Sequence, residues 1–167
     1  MRNLTLPSTR LTYLLVFIAT VLLMLIALYM QYAMGLEPCA LCITQRACVM
    51  AIGLVALIAC IHHPRTWGRW PYVGLGLVFT IVGGATAGRQ LWLQNLPPDR
   101  VPACGPSIEY ILDAFPFWEA LAILFRGDGN CAEVAWRFLG LSIPGWTLIA
   151  FIGFAVVFLW QGLRGRL

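Results

Sequence analysis

The sequence predicts an all-α membrane protein, a bundle of four transmembrane helices with a long outer loop that contains a short interfacial helix. The chain of 167 residues is 60% hydrophobic and only 11% charged, which is far too apolar for a soluble domain of this length. It also contains four apolar runs, each long enough, or nearly so, to cross a hydrocarbon core about 30 Å thick. Such segments are helical in lipid, because the backbone has no water with which to hydrogen-bond.

The four runs follow one another along the chain and leave no separate soluble domain. We expect membrane helices at about residues 11–30, 42–61, 71–92 and 144–163. The first run is longer than the apolar region of a secretory signal, and no small-residue cleavage site follows it, so we expect it to be retained. We therefore treat residues 1–167 as one integral membrane domain. Gly83, Gly84 and Gly88 in the third run predict close packing against another helix.

The charged residues divide between the two sides of the predicted bundle. Arginines without acids flank the helices on one side: Arg2, Arg10, Arg65, Arg69, Arg164 and Arg166. All seven acids lie in segments 31–41 and 95–143. The positive-inside rule therefore places both termini and residues 62–70 in the cytoplasm, and the two acidic segments outside, where disulfides persist. Basic residues scattered among short membrane-flanking segments do not indicate nucleic-acid binding.

The second outer segment has a predicted helix and a predicted turn. Residues 113–125 begin with Asp113 and Pro116 and continue as an apolar run, which is typical of a helix start. This run is too short to span a membrane, so we expect a helix on the membrane surface; a small packed core is the alternative. The sequence Gly127-Asp128-Gly129-Asn130 predicts a turn that presents Cys131.

Four of the six cysteines are the candidate catalytic residues: Cys39, Cys42, Cys104 and Cys131, all in or next to the outer segments. Cys39 and Cys42 form a CxxC pair at the predicted start of the second helix, where unpaired N–H groups and the helix dipole favour thiolates. A metal site is not expected, because the outer segments contain no second close cysteine pair and no histidine. Inert structural disulfides are the other alternative, but a bridge across two residues closes almost no loop and stabilises little.

Arg46 is the only charge in the second run and lies four residues after Cys42, on the same helical face. A charge at the centre of a membrane helix costs about 2.5–3.5 kcal/mol, which favours a functional role beside the Cys42 sulfur. An arginine that extends to the lipid headgroups is the alternative, and for Arg89 in the third run it is the expected one. No dinucleotide-binding fingerprint is present, so a membrane quinone is the natural electron acceptor if the cysteines turn over, because the CxxC pair lies at the level of the bilayer.

Three groups of residues form a specific combination. They are Pro38-Cys39-Ala40-Leu41-Cys42 followed by Arg46; Cys131-Ala132-Glu133; and Trp136-Arg137-Phe138-Leu139-Gly140-Leu141 with Pro144-Gly145-Trp146. This combination resembles the disulfide bond formation protein B (DsbB) family, the quinone-dependent oxidases of the bacterial inner membrane. The resemblance covers the whole chain. It implies a multi-pass protein with both termini in the cytoplasm and its cysteine loops in the periplasm.

The same resemblance implies a role for each cysteine. Cys104 would form a mixed disulfide with a thioredoxin-like, DsbA-like dithiol partner, and Cys131 would be its disulfide partner and exchange with Cys39. Cys42 would lie next to ubiquinone or menaquinone, supported by Arg46. The alternative function is a non-catalytic four-helix scaffold with stapled outer loops. It resembles a tetraspanin in layout, although the Cys-Cys-Gly signature of that family is missing.

Overall fold

The computed structural model describes residues 8–64, 66–105 and 108–164. Four long helices dominate it: α1 (Thr9–Tyr32), α2 (Ala40–His62), α3 (Trp70–Gln94) and α6 (Ile143–Leu163). Each is long and apolar enough to cross a membrane. The predicted four-helix membrane fold is confirmed.

The helices pack in chain order, α1 on α2, α2 on α3 and α3 on α6. Their shared core contains Tyr13, Ile52, Phe151 and Phe158, each no more than 2% exposed. The outward faces are apolar as well, as a helix surface in contact with lipid requires. Consecutive helices joined by short connections run in opposite directions, so the cysteine-bearing start of α2 shares one end of the bundle with the end of α3.

The contact between α3 and α6 depends on glycine, although not on all three of the predicted positions, Gly83, Gly84 and Gly88. A Cβ atom at Gly83 would lie 2.3 Å from the ring of Phe151, and one at Gly76 would lie 2.4 Å from the ring of Phe158. A Cβ at Gly84 would make only an ordinary contact of 3.7 Å, and Gly88 faces open space. The helices therefore approach each other closely at Gly76 and Gly83, two turns apart on one face.

The segment between α3 and α6 contains more structure than the sequence predicted. The helix expected over residues 113–125 is divided into α4 (Ile108–Ala114) and α5 (Phe117–Arg126). Pro116 separates them, since proline lacks the N–H that a continuous helix needs and restricts the residue before it. A short antiparallel hairpin of β1 (Arg137–Phe138) and β2 (Leu141–Ser142) leads into α6 and was not predicted.

Helix α5 packs against α2 and exposes aromatic side chains on its other side. Ala120 is 3% exposed, whereas Phe117 and Trp118 are 70% and 76% exposed. This two-sided character is what a helix at a membrane surface needs, and its position there stays a prediction.

The end of the bundle opposite the cysteines carries the described arginines of the charge argument. Arg10 lies in the first turn of α1, Arg69 directly precedes α3, and Arg164 follows α6. Arg2, Arg65 and Arg166 lie outside the described residues. The orientation of the bundle in a membrane stays a prediction.

Candidate functional site: a cluster of thiols at the start of α2

The CxxC pair lies at the first turn of α2. Cys39 is the N-cap residue, with an extended backbone and no hydrogen bond from its side chain to the helix, so its thiol is not used for capping. Cys42 follows in the first turn, and the two Sγ atoms are 3.1 Å apart. Both side chains are half-buried free thiols. The helix start thus holds two sulfur atoms in contact, beside the unpaired backbone N–H groups of its first turn.

A third thiol, that of Cys131, reaches the same point from the outer loop. The predicted turn is present: Asp128 accepts a hydrogen bond from the backbone N–H of Asn130 at 3.1 Å, and the N–H of Cys131 donates to the Asp128 carbonyl at 3.1 Å. This turn places the Cys131 sulfur, which is fully buried, in a hydrogen bond with the Cys39 sulfur. The Cys39 sulfur therefore contacts both Cys42 and Cys131.

The contacts of Cys39 and Cys131 shift the pKa values of the two thiols in opposite directions. Hydrogen bonds with Cys131 and then Cys42, together with burial, raise the pKa of Cys39. The hydrogen bond from Cys39 lowers the pKa of Cys131, and the backbone N–H groups of Asp128 and Leu41 act in the same direction against burial. In the reduced cluster, Cys39 thus keeps its proton and donates it in a hydrogen bond, and negative charge is favoured at Cys131.

Cys104, the fourth predicted cysteine, is exposed on the outer surface. Its backbone lies against the turn that carries Cys131: the N–H of Gly129 donates to the Ala103 carbonyl at 3.1 Å. A Cβ atom at Gly129 would lie 2.5 Å from the Pro102 carbonyl oxygen, so only glycine permits this approach. The structure thus brings Cys39, Cys42 and Cys131 together and leaves the Cys104 thiol facing outward on an adjoining segment.

A series of hydrogen-bonded, uncharged polar side chains contacts the CxxC sulfurs, and it was not predicted from the sequence. The amide nitrogen of Gln90 in α3 donates to Cys42 Sγ at 3.3 Å and to Cys39 Sγ at 3.5 Å. Gln45 Nε2 donates to Gln90 Oε1 at 2.8 Å, and Thr147 Oγ1 in α6 donates to Gln45 Oε1 at 2.8 Å. The sequence does contain a signal for this network, because Gln45 and Gln90 lie inside apolar helices. Polar side chains buried in a membrane need hydrogen-bond partners, so two such glutamines indicate a contact between helices.

Arg46 points into the space between α1 and α2. Its guanidinium donates to the Gln31 side-chain oxygen and, at 3.2 Å, to the Ala27 carbonyl, both in α1. It also interacts electrostatically with the Cys42 sulfur. These two hydrogen bonds use two of the five N–H donors of a guanidinium, so the group can also donate to a ligand carbonyl. Arg46 is therefore bound within the bundle, beside the CxxC pair.

Arg89, for which the sequence predicts an extension to the lipid headgroups, forms a hydrogen bond to a neighbouring helix. Its Nε donates to the carbonyl of Arg126 at 2.7 Å, and its guanidinium lies 5.8 Å from the centre of the Trp92 ring. Arg126 is the last residue of α5, so Arg89 satisfies a free carbonyl at a helix C-terminus, where the dipole favours a positive charge. Its Nε thus connects α3 to the helix that precedes the Cys131 turn.

These features define a class: a multi-pass helical membrane protein with a thiol cluster at one end of its bundle. Comparison with known proteins identifies the family. The sequence profile of disulfide bond formation protein DsbB matches residues 9–161. The chain is therefore a member of the DsbB family of disulfide bond formation proteins.

Individual relatives match nearly the whole chain. Disulfide bond formation protein B of Saccharophagus degradans is 54% identical over 159 residues, covering 95% of this chain and 96% of that protein. The protein of the same name from Hahella chejuensis is 54% identical over 157 residues, or 94% and 95% of the two chains. That of Stutzerimonas stutzeri is 50% identical over 159 residues, or 95% and 98%.

Proposed function

We propose that this chain is a dithiol:quinone oxidoreductase that oxidises a thioredoxin-like, DsbA-like dithiol protein and passes the electrons to ubiquinone or menaquinone. One observation carries the proposal: the Cys39 sulfur contacts both the Cys42 and the Cys131 sulfurs. Disulfide exchange requires an attacking thiolate to reach a sulfur of an existing disulfide. Because the Cys39 sulfur contacts both other sulfurs, it can exchange disulfide bonds with Cys42 and with Cys131.

The first exchange takes place at Cys104. A thiolate of the reduced partner attacks Cys104 in a Cys104–Cys131 disulfide, which forms a mixed disulfide and releases Cys131 as a thiolate. Exposure of Cys104 supports its role as the attacked sulfur, because a soluble protein can reach it. The lowered pKa of Cys131 supports its role as the leaving group, since a thiol of lower pKa leaves faster.

The second exchange transfers the oxidising equivalent within the site. The Cys131 thiolate attacks Cys39 in the Cys39–Cys42 disulfide, so a Cys39–Cys131 bond forms and Cys42 leaves as a thiolate. The partner's second thiol then attacks the mixed disulfide, which oxidises the partner and releases Cys104. Cys104 attacks Cys131, which restores the Cys104–Cys131 disulfide and leaves Cys39 and Cys42 as a dithiol. Two electrons and two protons have now moved from the partner to the CxxC pair.

The surroundings of Cys42 support a role in the final transfer. A quinone, when bound, accepts two electrons and two protons, which allows the Cys39–Cys42 disulfide to form again. Arg46 has N–H donors for a carbonyl oxygen on the side of α2 that faces α1. The Gln90 amide donates to the Cys42 sulfur and would stabilise its anionic form, and Gln45 holds that amide in place.

The proposal includes a location. We place the protein in the bacterial inner membrane with the thiol cluster on the periplasmic side and both termini in the cytoplasm. The arginines at the opposite end, Arg10, Arg69 and Arg164, support this orientation. The periplasm is kept oxidising by disulfide exchange coupled to quinone, a general property of the DsbA–DsbB system rather than a result for this chain.

The test uses purified protein with a reduced thioredoxin-like dithiol protein and a quinone, followed by quinone absorbance. We expect one quinone reduced for each partner disulfide formed, and no turnover after Cys104→Ala or Cys42→Ala. Cys48→Ala is the matched control, since Cys48 is a buried thiol of α2 that belongs to the bundle core. Full turnover by Cys104→Ala or Cys42→Ala would rule out the proposal.

Thiol trapping separates the oxidase from the scaffold alternative. An oxidase accumulates reduced Cys39 and Cys42 when partner is supplied and quinone is withheld. A scaffold keeps the same disulfides with and without quinone.

A further inference from the structure

The short hairpin that leads into α6 has an unusual turn. Two residues, Leu139 and Gly140, join β1 to β2, and their φ values are 50° and 82°. Two successive residues of positive φ in a two-residue loop are the pattern of a type I′ turn, for which Asn-Gly is the preferred pair. A leucine is unfavourable at the first position, because its Cβ atom crowds the backbone in the left-handed region.

The side chain at this unfavourable position is also exposed. Leu139 is 77% exposed, and the neighbouring Phe138 and Leu141 are 52% and 38% exposed. A leucine that protrudes from a strained turn stabilises neither the turn nor the core of the protein. The three adjoining apolar side chains therefore form a surface that fits an apolar environment outside the protein.

Aromatic contacts fix the hairpin to the first turn of α6. Trp146 Nε1 donates to the Phe138 carbonyl at 3.1 Å, and the rings of these two residues lie 6.1 Å apart. Trp136 stacks on Phe138 with ring centres 5.8 Å apart. Tryptophan is enriched at membrane–water interfaces, because its ring is apolar and its N–H is polar. The hairpin thus folds back onto the start of a membrane helix through residues typical of that interface.

The base of the hairpin is bonded to α3 and to the loop of Cys131. Ser142 Oγ donates to Oε1 of Gln94, the last residue of α3, at 2.7 Å. The amide nitrogen of Gln94 donates to the carbonyl of Glu133, two residues after Cys131, at 3.4 Å. The hairpin is therefore held at a fixed level relative to both helices.

The length of α6 determines where this level lies in a bilayer. The helix has 21 residues, or about 31 Å at 1.5 Å per residue, which is close to the hydrocarbon thickness of about 30 Å. Arg164 directly follows its other end, and a cation there stays near the headgroups. No length is left over at the start of α6, so Ser142 lies at the edge of the hydrocarbon core. The hairpin, folded back onto Trp146, then lies in the headgroup layer, which is about 5–7 Å thick.

We propose that the hairpin of residues 137–142, together with Trp136 and Trp146, is a lipid anchor: it lies among the phospholipid headgroups, and Leu139 enters the upper part of the acyl chains. The exposed Arg137 of β1 has N–H donors for phosphate oxygens. The lipid anchor does not depend on the oxidase function. A protein partner is the other possible occupant, and the level of the hairpin, given by the length of α6, favours lipid.

The test measures the surroundings of the Gly140 backbone N–H by NMR, with the whole protein in phospholipid nanodiscs. A nitroxide on the upper acyl chain of a lipid broadens the signals of nearby N–H groups, and a gadolinium chelate in water broadens those of exposed ones. Gly140 is adjacent to Leu139 and is present in every variant. Asp99 is the internal reference, because its side chain is 77% exposed and it follows α3, whose 25 residues exceed the thickness of the hydrocarbon core.

Leu139→Asn removes the apolar contact and keeps the turn, because Asn-Gly suits a type I′ turn. Leu139→Met is the matched control, since it keeps an apolar side chain at the same position. In wild type we expect the lipid nitroxide to broaden Gly140 more than Asp99, and the gadolinium chelate to do the reverse. In Leu139→Asn the gadolinium effect at Gly140 should rise about threefold or more, since loss of an apolar side chain of this size shifts a partition equilibrium about tenfold. Leu139→Met should match wild type.

Three results would overturn the lipid anchor. The first is a lipid nitroxide that broadens Gly140 no more than Asp99 in wild type. The second is a Leu139→Asn variant with the wild-type pattern at Gly140, which would mean that the leucine does not hold the turn in lipid. In the third, an added reduced thioredoxin-like dithiol protein protects Gly140 from the gadolinium chelate while the lipid nitroxide has no effect, which would make the hairpin a docking surface for protein. Unchanged signals from α6 show in each case that the variant is folded.

Discussion

Gln90 contacts both sulfurs of the CxxC pair, and its orientation is determined by its neighbours. Thr147 donates to the Gln45 oxygen, so the Gln45 nitrogen faces the Gln90 oxygen, and the Gln90 nitrogen is left to face the sulfurs. This order of donors and acceptors presents an N–H to a developing thiolate without any rotation of the amide. Hydrogen bonds to charged groups contribute about 1.5–3 kcal/mol, more than those between neutral groups.

We expect Gln90→Leu to slow reoxidation of the Cys39–Cys42 dithiol by quinone about 10- to 100-fold, which corresponds to the loss of such a bond. Thr147→Val, which removes only the last hydrogen bond of the series from Gln90 through Gln45 to Thr147, should slow the same step less. Stopped-flow measurement of the quinone step, separate from thiol exchange with the partner, checks both. Equal slowing of the partner step at the exposed Cys104 would mean that Gln90 acts through general structure.

The acid–base properties of Cys131 lead to a pH prediction. Its pKa is lowered first by the hydrogen bond from Cys39 and then by two backbone N–H groups. An unperturbed cysteine titrates at about pH 8.5, so the Cys131 thiolate should be present at lower pH than that of an ordinary thiol, and should be lost as pH falls through its lowered pKa. Cys39→Ala removes the largest cause while burial remains, so the pKa of Cys131 should rise.

NMR titration of the labelled Cys131 Cβ in reduced protein, in a Cys104→Ser background, measures this pKa directly. A midpoint that does not move after Cys39→Ala would show that the Cys39–Cys131 contact does not affect the charge at Cys131.

At the scale of elements, the end of α5 determines where the Cys131 turn lies. Arg89 bonds the last carbonyl of α5, and Gly127 follows with a positive φ of 71°. A Cβ atom at Gly127 would lie 2.8 Å from Leu41, so this glycine seats the turn directly on the start of α2. The Arg89 hydrogen bond and the close approach of Gly127 to Leu41 therefore fix the position of the loop that places Cys131 beside Cys39.

Removal of the Arg89 contact should loosen this loop. A cation at a helix C-terminus contributes about 0.3–1 kcal/mol, so we expect Arg89→Gln to increase alkylation of the buried Cys131 about two- to fivefold in reduced protein. Arg89→Lys, which keeps the charge, should lie closer to wild type. Mass spectrometry of alkylated Cys131 provides the rate, and an unchanged rate in Arg89→Gln would contradict a positioning role for Arg89.

At the scale of the whole molecule, the thiol cluster lies at one end of the bundle, and Arg10, Arg69 and Arg164 lie at the other. A membrane-impermeant maleimide added to intact cells with a permeabilised outer membrane should therefore label Cys104 once a reductant has opened the Cys104–Cys131 disulfide. It should not label Gly68→Cys in a Cys104→Ser background, because residue 68 lies in the opposite connection, before α3. If the maleimide labelled Gly68→Cys and did not label Cys104, the bundle would have the opposite orientation in the membrane.

The sequence by itself determined the four membrane helices, because a bilayer demands long apolar runs whatever their neighbours are. It also determined that Cys39 and Cys42 lie at a helix start with Arg46 one turn further on, since these relations are local and follow from helical spacing. The turn that presents Cys131 is local in the same way, with Asp128 bonding Asn130. The family followed from the same local motifs.

Only the tertiary structure decided which distant side chains meet at the site. The bonds from Gln45 to Gln90 and from Thr147 to Gln45 join residues 45 and 102 positions apart, and spacing along a chain carries no information about such contacts. The break at Pro116 and the placement of Cys131 against Cys39 depend likewise on how helices and loop pack. Helix formation in a membrane is governed by the backbone and the solvent, whereas the partners of each polar group are governed by packing.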